Sequence, residues 1–292
     1  MRVTEQMRYD SVANNLSQLS ARQAKAAQQA QTGIRVSLPS DDPIAAAQLA
    51  RLSASQSQIT ARRSTITSVR GDAELAESSL QQASDLMASA KELAMQGGNG
   101  SLGANERAML AQQVKDIKDQ LIGIANTRGT TGYLFAGSAT ETKPFSTAGA
   151  FNGNDDVHVV DIGNSTPTAV NASGAKAFTA AGGRDVFADL DALYTALNTN
   201  DVAAIGNSLD GIDQSRSQIT TSQAAIGITI NKLDASDSVQ SALDLQNSKS
   251  QSDIGAADPA KAYSTLVQLN NALQQSVSVG KSILDLAAFK QF

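Results

Sequence analysis

Between residues 52 and 94 an apolar side chain returns every seven positions: Leu52, Ile59, Ile66, Ala73, Leu80, Met87 and Ala94. A second line, Val69, Ala76, Ala83 and Ala90, runs three residues further on in the companion core position. Ser55 and Arg62 hold that second line earlier, so the seam is better formed in its later half. A helix from 43 to 96 has about 54 residues and a length of about 80 Å. No compact globule needs a helix that long. Gly71 sits inside it and costs about 1 kcal/mol relative to Ala, which predicts local softness there.

The same period recurs. "GGNGSLGANE" (97–106) reads as a glycine-rich turn, with Asn105 as the expected N-cap of a helix carrying Leu110, Val114, Ile117, Leu121 and Ile124. Ile205, Ile212, Ile219, Ile226 and Leu233 are again seven apart, and Leu209 and Ile230 fill part of their partner line. The fold class expected is therefore mainly α, an elongated bundle of long antiparallel helices.

Residues 137–184 break the pattern. They are rich in Gly, Ser, Thr and Asn, with turn clusters at 152–154 and 171–174 and short runs such as Val157-His158-Val159-Val160. We expect a small β-rich insertion, followed by a return helix over 185–197 with Phe187, Leu190, Leu193, Tyr194 and Leu197 on one face. The expected organisation has three parts: terminal segments 1–40 plus 251–292, a bundle of 41–136 plus 200–250, and the insertion with its return helix, 137–199.

Both ends carry weaker stripes. Val12, Leu16, Leu19, Ala26 and Ala30 mark a Gln- and Ala-rich helix, while Leu266, Leu269, Leu273, Val277, Gly280 and Leu284 mark the C-terminal one. Such helices need a partner, since most helical stability comes from packing an apolar face. The nearest candidates are each other, and then other copies. Leu16, Leu19, Leu266, Leu269, Leu273, Val277 and Leu284 are the expected assembly residues. In "TGIRVSLPSDDP" (32–43), Gly33 is placed to end the first helix, and Asp41 or Asp42 followed by Pro43 to start the second. That stretch is read as a hinge between two helical layers.

Composition narrows the chemistry. There is no cysteine, hence no disulfide, thiolate nucleophile or zinc thiolate site. A net charge of −5 argues against a nucleic-acid surface or an anionic-membrane binder. With aromatics at 4%, bulky cores are not expected. The opening residues contain no apolar run of signal-peptide length, so we expect neither a cleaved signal nor a membrane span.

Other patterns read as structure. The glycine clusters at 97–100 and 182–183 lack the Lys-Ser/Thr ending of a phosphate loop. "NGNDD" (152–156) lacks the ligand series and closing Glu of a calcium loop. An enzyme in the insertion would have to draw on Asp155, Asp156, His158 and Asp161, all in one short run. His158 is the only histidine and has no nearby nucleophile. No catalytic residue, cofactor or metal is expected.

The seven-residue period alone leaves open a self-assembling subunit or another helical rod, such as a signalling stalk. "TGIRVSLPSDDPIAAAQLA", "ELAMQGGNGSLGANERAMLAQQVKDIKDQLIGIANT" and the closing "DIGAADPAKAYSTLVQLNNALQQSVSVGKSILDL" resemble, in this order, the flagellin superfamily of bacterial flagellar proteins. "GYLFAGSATETKPF" (132–145) and "SILDL" (282–286) are similar to its hook–filament junction branch, although Leu286 stands where an aromatic is common. The resemblance implies a non-enzymatic structural subunit exported by the flagellar type III route. Its implied partners are copies of itself in a ring, a neighbouring hook-associated protein, flagellin and an export chaperone, with terminal helices that are disordered until assembly. The alternative is a flagellin filament subunit, and below that an enzyme or ligand-binding module in the insertion.

Overall fold

A computed structural model describes residues 2–163 and 167–289 of the chain. In chain order the elements are α1 (Arg2–Thr32), α2 (Pro43–Gly97), α3 (Ala104–Ala125), β1 (Val159–Val160), β2 (Thr168–Ala169), α4 (Gly174–Phe178), α5 (Val186–Asn198), α6 (Val202–Gly255) and α7 (Pro259–Phe289). Two compact units result. One comprises residues 1–58 with 243–292, the other 59–242. Helices α2 and α6 contribute to both.

In the 59–242 unit the seven-residue period becomes the core. Ile59, Ile66, Ala73, Leu80, Met87 and Ala94 are buried, as are Ala76, Ala83 and Ala90 of the companion line. Ile205, Ile212, Ile219, Ile226 and Leu233 of α6 meet them. Small alanines on α2 let the branched side chains of α6 fill the seam, and α2 runs unbroken through Gly71. Cross-helix partners show the antiparallel register: Arg63 donates to Asp237 at 2.9 Å, Arg70 to Asp234 at 3.2 Å and Lys91 to Asp213 at 2.7 Å. As the partner on α2 moves towards its C-terminus, the one on α6 moves towards its N-terminus.

The Arg63 guanidinium, and more weakly Arg70, hold the Asp237 carboxyl below its ordinary value of 3.8. A depressed carboxyl stabilises the folded state above that ordinary value, and the contribution fades as pH falls below it. Because the pair is about a third exposed, it is worth less than about 1 kcal/mol. Asp237→Asn should therefore lower the urea midpoint of the 59–242 unit slightly at neutral pH and not at all in acid below both pKa values. An equal loss at both pH values would refute the assignment.

Helix α3 folds back and packs on α5. Leu110, Val114, Ile117 and Leu121 face Phe187, Leu190, Leu193 and Leu197, all buried. Helix α5 starts where its N-cap, the Asp185 carboxylate, accepts from the Phe187 and Ala188 N–H groups. Helix α3 begins one residue before the expected cap. Gly103 holds the N-cap position in extended backbone and Asn105 lies inside the first turn. Close to this start lies a buried cation that the sequence reading passed over. Arg107 donates from Nε to the Gly97 carbonyl at 2.7 Å, from Nη2 to the Asn99 carbonyl at 2.8 Å and from Nη1 to Asn200 Oδ1. Its guanidinium thus ties the α2–α3 turn to the α5–α6 turn, where Asn200 sits at φ 59°.

The insertion carries its sheet as two-residue antiparallel strands, with Val159 paired to Ala169 and Val160 to Thr168. The rest is turns held by isolated bridges, including Ala136 to Ser173 and Phe145 to Phe151. Its centre is aromatic, contrary to the expectation from composition. Phe178 stands edge-on to Phe135 and Phe145, with centroids 5.5 and 5.6 Å away, and stacks on Phe187 at 6.0 Å. Five of the chain's seven phenylalanines, these four and Phe151, are concentrated at one point. Gly149, at φ +91°, lets the 146–150 turn lie against Phe187, where an added Cβ would come within 2.7 Å of that side chain.

One α6 side chain anchors the turns. Gln218 accepts from the Arg184 N–H at 2.8 Å, and its Nε2 donates to the carbonyls of Ala177, Thr179 and Arg184. A buried amide satisfied on both sides fixes the 177–184 path in place of regular structure.

Candidate functional site: the terminal helix pair and its turn

The 1–58/243–292 unit holds every residue named as an assembly or hinge candidate. Helix α1 packs along α7. Leu16 and Leu19 on α1, and Leu266, Leu269 and Leu273 on α7, are half-buried, and Ala26 is buried. Gln23 donates to Asn270 Oδ1 at 2.6 Å, a polar bond set into the apolar stripe. Gly280 lies against Val12, leaving 3.2 Å to that side chain for an added Cβ. Val277 is 53% exposed, and Tyr263 and Val267 of the same helix are exposed as well. The side chain of Leu284 lies outside the described residues.

The turn between α1 and α2 is cross-tied. Gly33 takes φ +68° as it leaves α1, the left-handed conformation that glycine adopts without Cβ strain. Its carbonyl accepts from the Ala257 N–H at 2.8 Å, while the Arg35 N–H donates to the Gly255 carbonyl at 2.7 Å. The Arg35 guanidinium then reaches the Ile254 carbonyl at 2.7 Å and the Asp42 carboxylate at 3.0 Å.

The two acids divide the work. Asp41 accepts from Lys25 Nζ at 2.6 Å, from the Ser37 and Leu38 N–H groups at 3.0 Å each and from the Ser37 hydroxyl at 3.1 Å. Lys25 first, and then those backbone donors, hold its carboxyl far below the ordinary carboxylate range. Asp42 accepts from the Ala45 N–H at 3.0 Å, and its own carbonyl takes the first helical bond, from Ala46. It is the N-cap of α2, with Pro43 at the first helical position. The Ala45 N–H, then Arg35, lower its pKa. Both carboxylates are thus committed to backbone and cation partners.

Sequence reading missed the matching device at the other end. Asp258 accepts from the Ala260 and Lys261 N–H groups at 2.9 and 3.2 Å, and Pro259 opens α7. The signal was present, since Asp258-Pro259 repeats the Asp42-Pro43 pair. The short antiparallel bridge of Ile34 to Ala256 ties the turn that leaves α1 to the turn that enters α7, where the two terminal helices run side by side.

The acids and histidine of the insertion do not converge. Asp155 accepts from the Ser173 hydroxyl and lies 3.6 Å from Lys176. Asp156 accepts from the Ser138 hydroxyl at 2.9 Å. The Asp161 carboxylate caps the Gly163 N–H at 2.8 Å and pairs with Arg62 at 3.3 Å, and these partners lower its pKa. His158 is exposed, with its backbone N–H donated to Asn171. Among the described residues no group of three or more His, Cys, Asp or Glu side chains could hold a metal ion, and no helix is long and apolar enough to cross a membrane.

The sequence profile of the bacterial flagellin N-terminal helical region matches residues 3–140. Flagellar hook-associated protein 3 of Escherichia coli K12 is 30% identical over 314 aligned positions that span 99% of each chain. A structure from Vibrio parahaemolyticus, described as that of a flagellar hook-associated protein, aligns with a TM-score of 0.69 at 26% identity, over 74% of this chain and all of that one. The flagellar junction protein FlgL of Legionella pneumophila shares the fold, with a TM-score of 0.59 at 16% identity, over 72% of this chain and 100% of its own. Matched over 99% of its length at that level of identity, this chain belongs to the flagellar hook-associated protein 3 family.

Proposed function

We propose that the chain is a non-enzymatic structural subunit of the bacterial flagellum, set between a hook-associated neighbour and the filament. The observation that carries this reading is the match to hook-associated protein 3 along 99% of both chains, which includes both termini. A filament-subunit role is the weaker reading, because the full-length relative is a hook-associated protein rather than flagellin.

The terminal segments, 1–40 and 251–292, act as the assembly elements. Both helices leave apolar side chains in solvent, Met7 and Tyr9 on α1 and Val267 and Val277 on α7. A segment of this kind gains stability when sister subunits cover it, so its ordering is coupled to arrival at the right neighbour. The 33–43 turn serves as the joint that sets where the terminal pair departs from α2. Copies of the same chain form a ring, with a second hook-associated protein on one side and flagellin on the other. Before assembly an export chaperone covers the terminal stripes, and export follows the flagellar type III route without a cleaved signal.

The test is electron microscopy of cells lacking this protein. Hooks should remain while filaments fail to attach, and supplying the gene in trans should restore them. Gold-labelled antibody should mark a narrow band where hook meets filament. Normal filaments in the deletion strain would sink the proposal, and label along the whole filament would favour the flagellin reading.

A further inference from the structure

The Asn99-Gly100 pair in the α2–α3 turn is set up for a covalent change of its own. Three features meet there. The Asn99 side-chain carbonyl accepts from both the Ser101 N–H, at 3.1 Å, and the Ser101 hydroxyl, at 2.9 Å, which draws electron density from Cγ. The Arg107 guanidinium donates to the Asn99 backbone carbonyl at 2.8 Å, the oxygen that takes up charge when the Gly100 nitrogen loses its proton. Gly100 stands in open space, with nothing beyond its chain neighbours within 4 Å of an added Cβ, so no other segment crowds the turn at the reacting peptide.

From this geometry we infer that Asn99 is a site of self-catalysed deamidation, with Ser101 and Arg107 as its positioning residues. A base takes the proton of the Gly100 N–H, and the nitrogen lone pair forms a bond to Asn99 Cγ. The resulting oxyanion is met by the two Ser101 donors, in the manner of preorganised donors aimed at developing charge. Collapse breaks the Cγ–Nδ2 bond, and ammonia leaves with a proton, giving a succinimide. Water then opens the ring at one of its two carbonyls. Opening at Cγ yields Asp at position 99, and opening at the backbone carbon yields isoaspartate. In the second product the carbonyl that Arg107 holds becomes a free carboxylate, so a neutral acceptor is replaced by an anion beside a buried guanidinium.

The other Asn-Gly pair supplies an internal comparison. Gly153 is walled in: an added Cβ would meet the Phe151 ring at 2.8 Å and the Ala136 carbonyl at 2.9 Å. The flanking Asn152 and Asn154 N–H groups are held by Pro144 and Ala136. Those bonds hold the backbone on both sides of the Asn152–Gly153 peptide and oppose the rotation that ring closure requires.

The full chain, incubated at neutral pH and mapped by peptide mass spectrometry with isoaspartyl methyltransferase labelling, tests the inference. Asn99 should convert about tenfold faster than Asn152, a barrier difference of about 1.4 kcal/mol. It should also convert at least as fast as in a short peptide of the same sequence. Gly100→Ala, which fits the open space, should slow conversion, and Ser101→Ala should slow it less because one donor remains. Equal rates at the two asparagines, a folded rate below that of the peptide, or no slowing in Gly100→Ala would each overturn it.

Discussion

Phe178→Ala is expected to lower the stability of the 59–242 unit by about 3–5 kcal/mol, the range for emptying a fully buried aromatic site. Phe178 is 0% exposed and touches three other rings, so its loss removes area and three edge or stacking contacts together. Such contacts contribute about 0.5–1.5 kcal/mol each beyond burial. The cavity cannot close by small shifts. Phe135 and Phe187 are carried by different segments, and Gln218 pins the chain on either side of Phe178. Calorimetry should show the loss in the transition of this unit, and Phe178→Leu should recover more than half of it. A loss under about 1 kcal/mol would mean that the insertion is not organised around these rings.

Leu273→Asp is expected to have the largest functional effect. Leu273 is half-buried on the face of α7 that carries Asn270, which bonds to α1. A carboxylate there must either lose hydration against apolar neighbours or push the helices apart, at a cost of about 2–4 kcal/mol. The helix pair has little to spare. Cells carrying the variant should swim no better than a deletion strain, and purified variant should fail to co-sediment with filaments. The 59–242 unit should melt as in the wild type, which separates an assembly defect from global unfolding. Val277→Asp is the informative companion: at 53% exposure it leaves the α1–α7 contact intact, so any loss of assembly reports on the face that meets another subunit. Wild-type attachment of filaments by Leu273→Asp would remove the terminal pair from the mechanism.

Much of the molecule was legible in the residues. The seven-residue lines on α2 and α6 became buried seams because helical phase is local: once a helix forms, positions seven apart share a face wherever the helix ends up. The ends of α1 and α2 were legible for a similar reason. Gly33, Asp42 and Pro43 act on backbone groups within four residues of themselves. The weak stripes on α1 and α7 likewise pointed to helices in need of a partner.

Other features depended on which distant segments meet. Nothing in the sequence singled out Arg107, because Asn200, which its guanidinium meets, lies 93 positions away. A low aromatic fraction suggested small-residue packing, yet irregular turns together with the short helices α4 and α5 gathered Phe135, Phe145, Phe178 and Phe187 into one cluster. By itself, then, the sequence determined the long helices, their buried faces and the capped start of α2, since these follow from periodicity and short-range bonding. Only the tertiary structure decided how polar groups are matched across chain separations and where the aromatic centre lies. A hydrogen bond or ring contact exists only when both partners arrive, and arrival is a property of the whole fold.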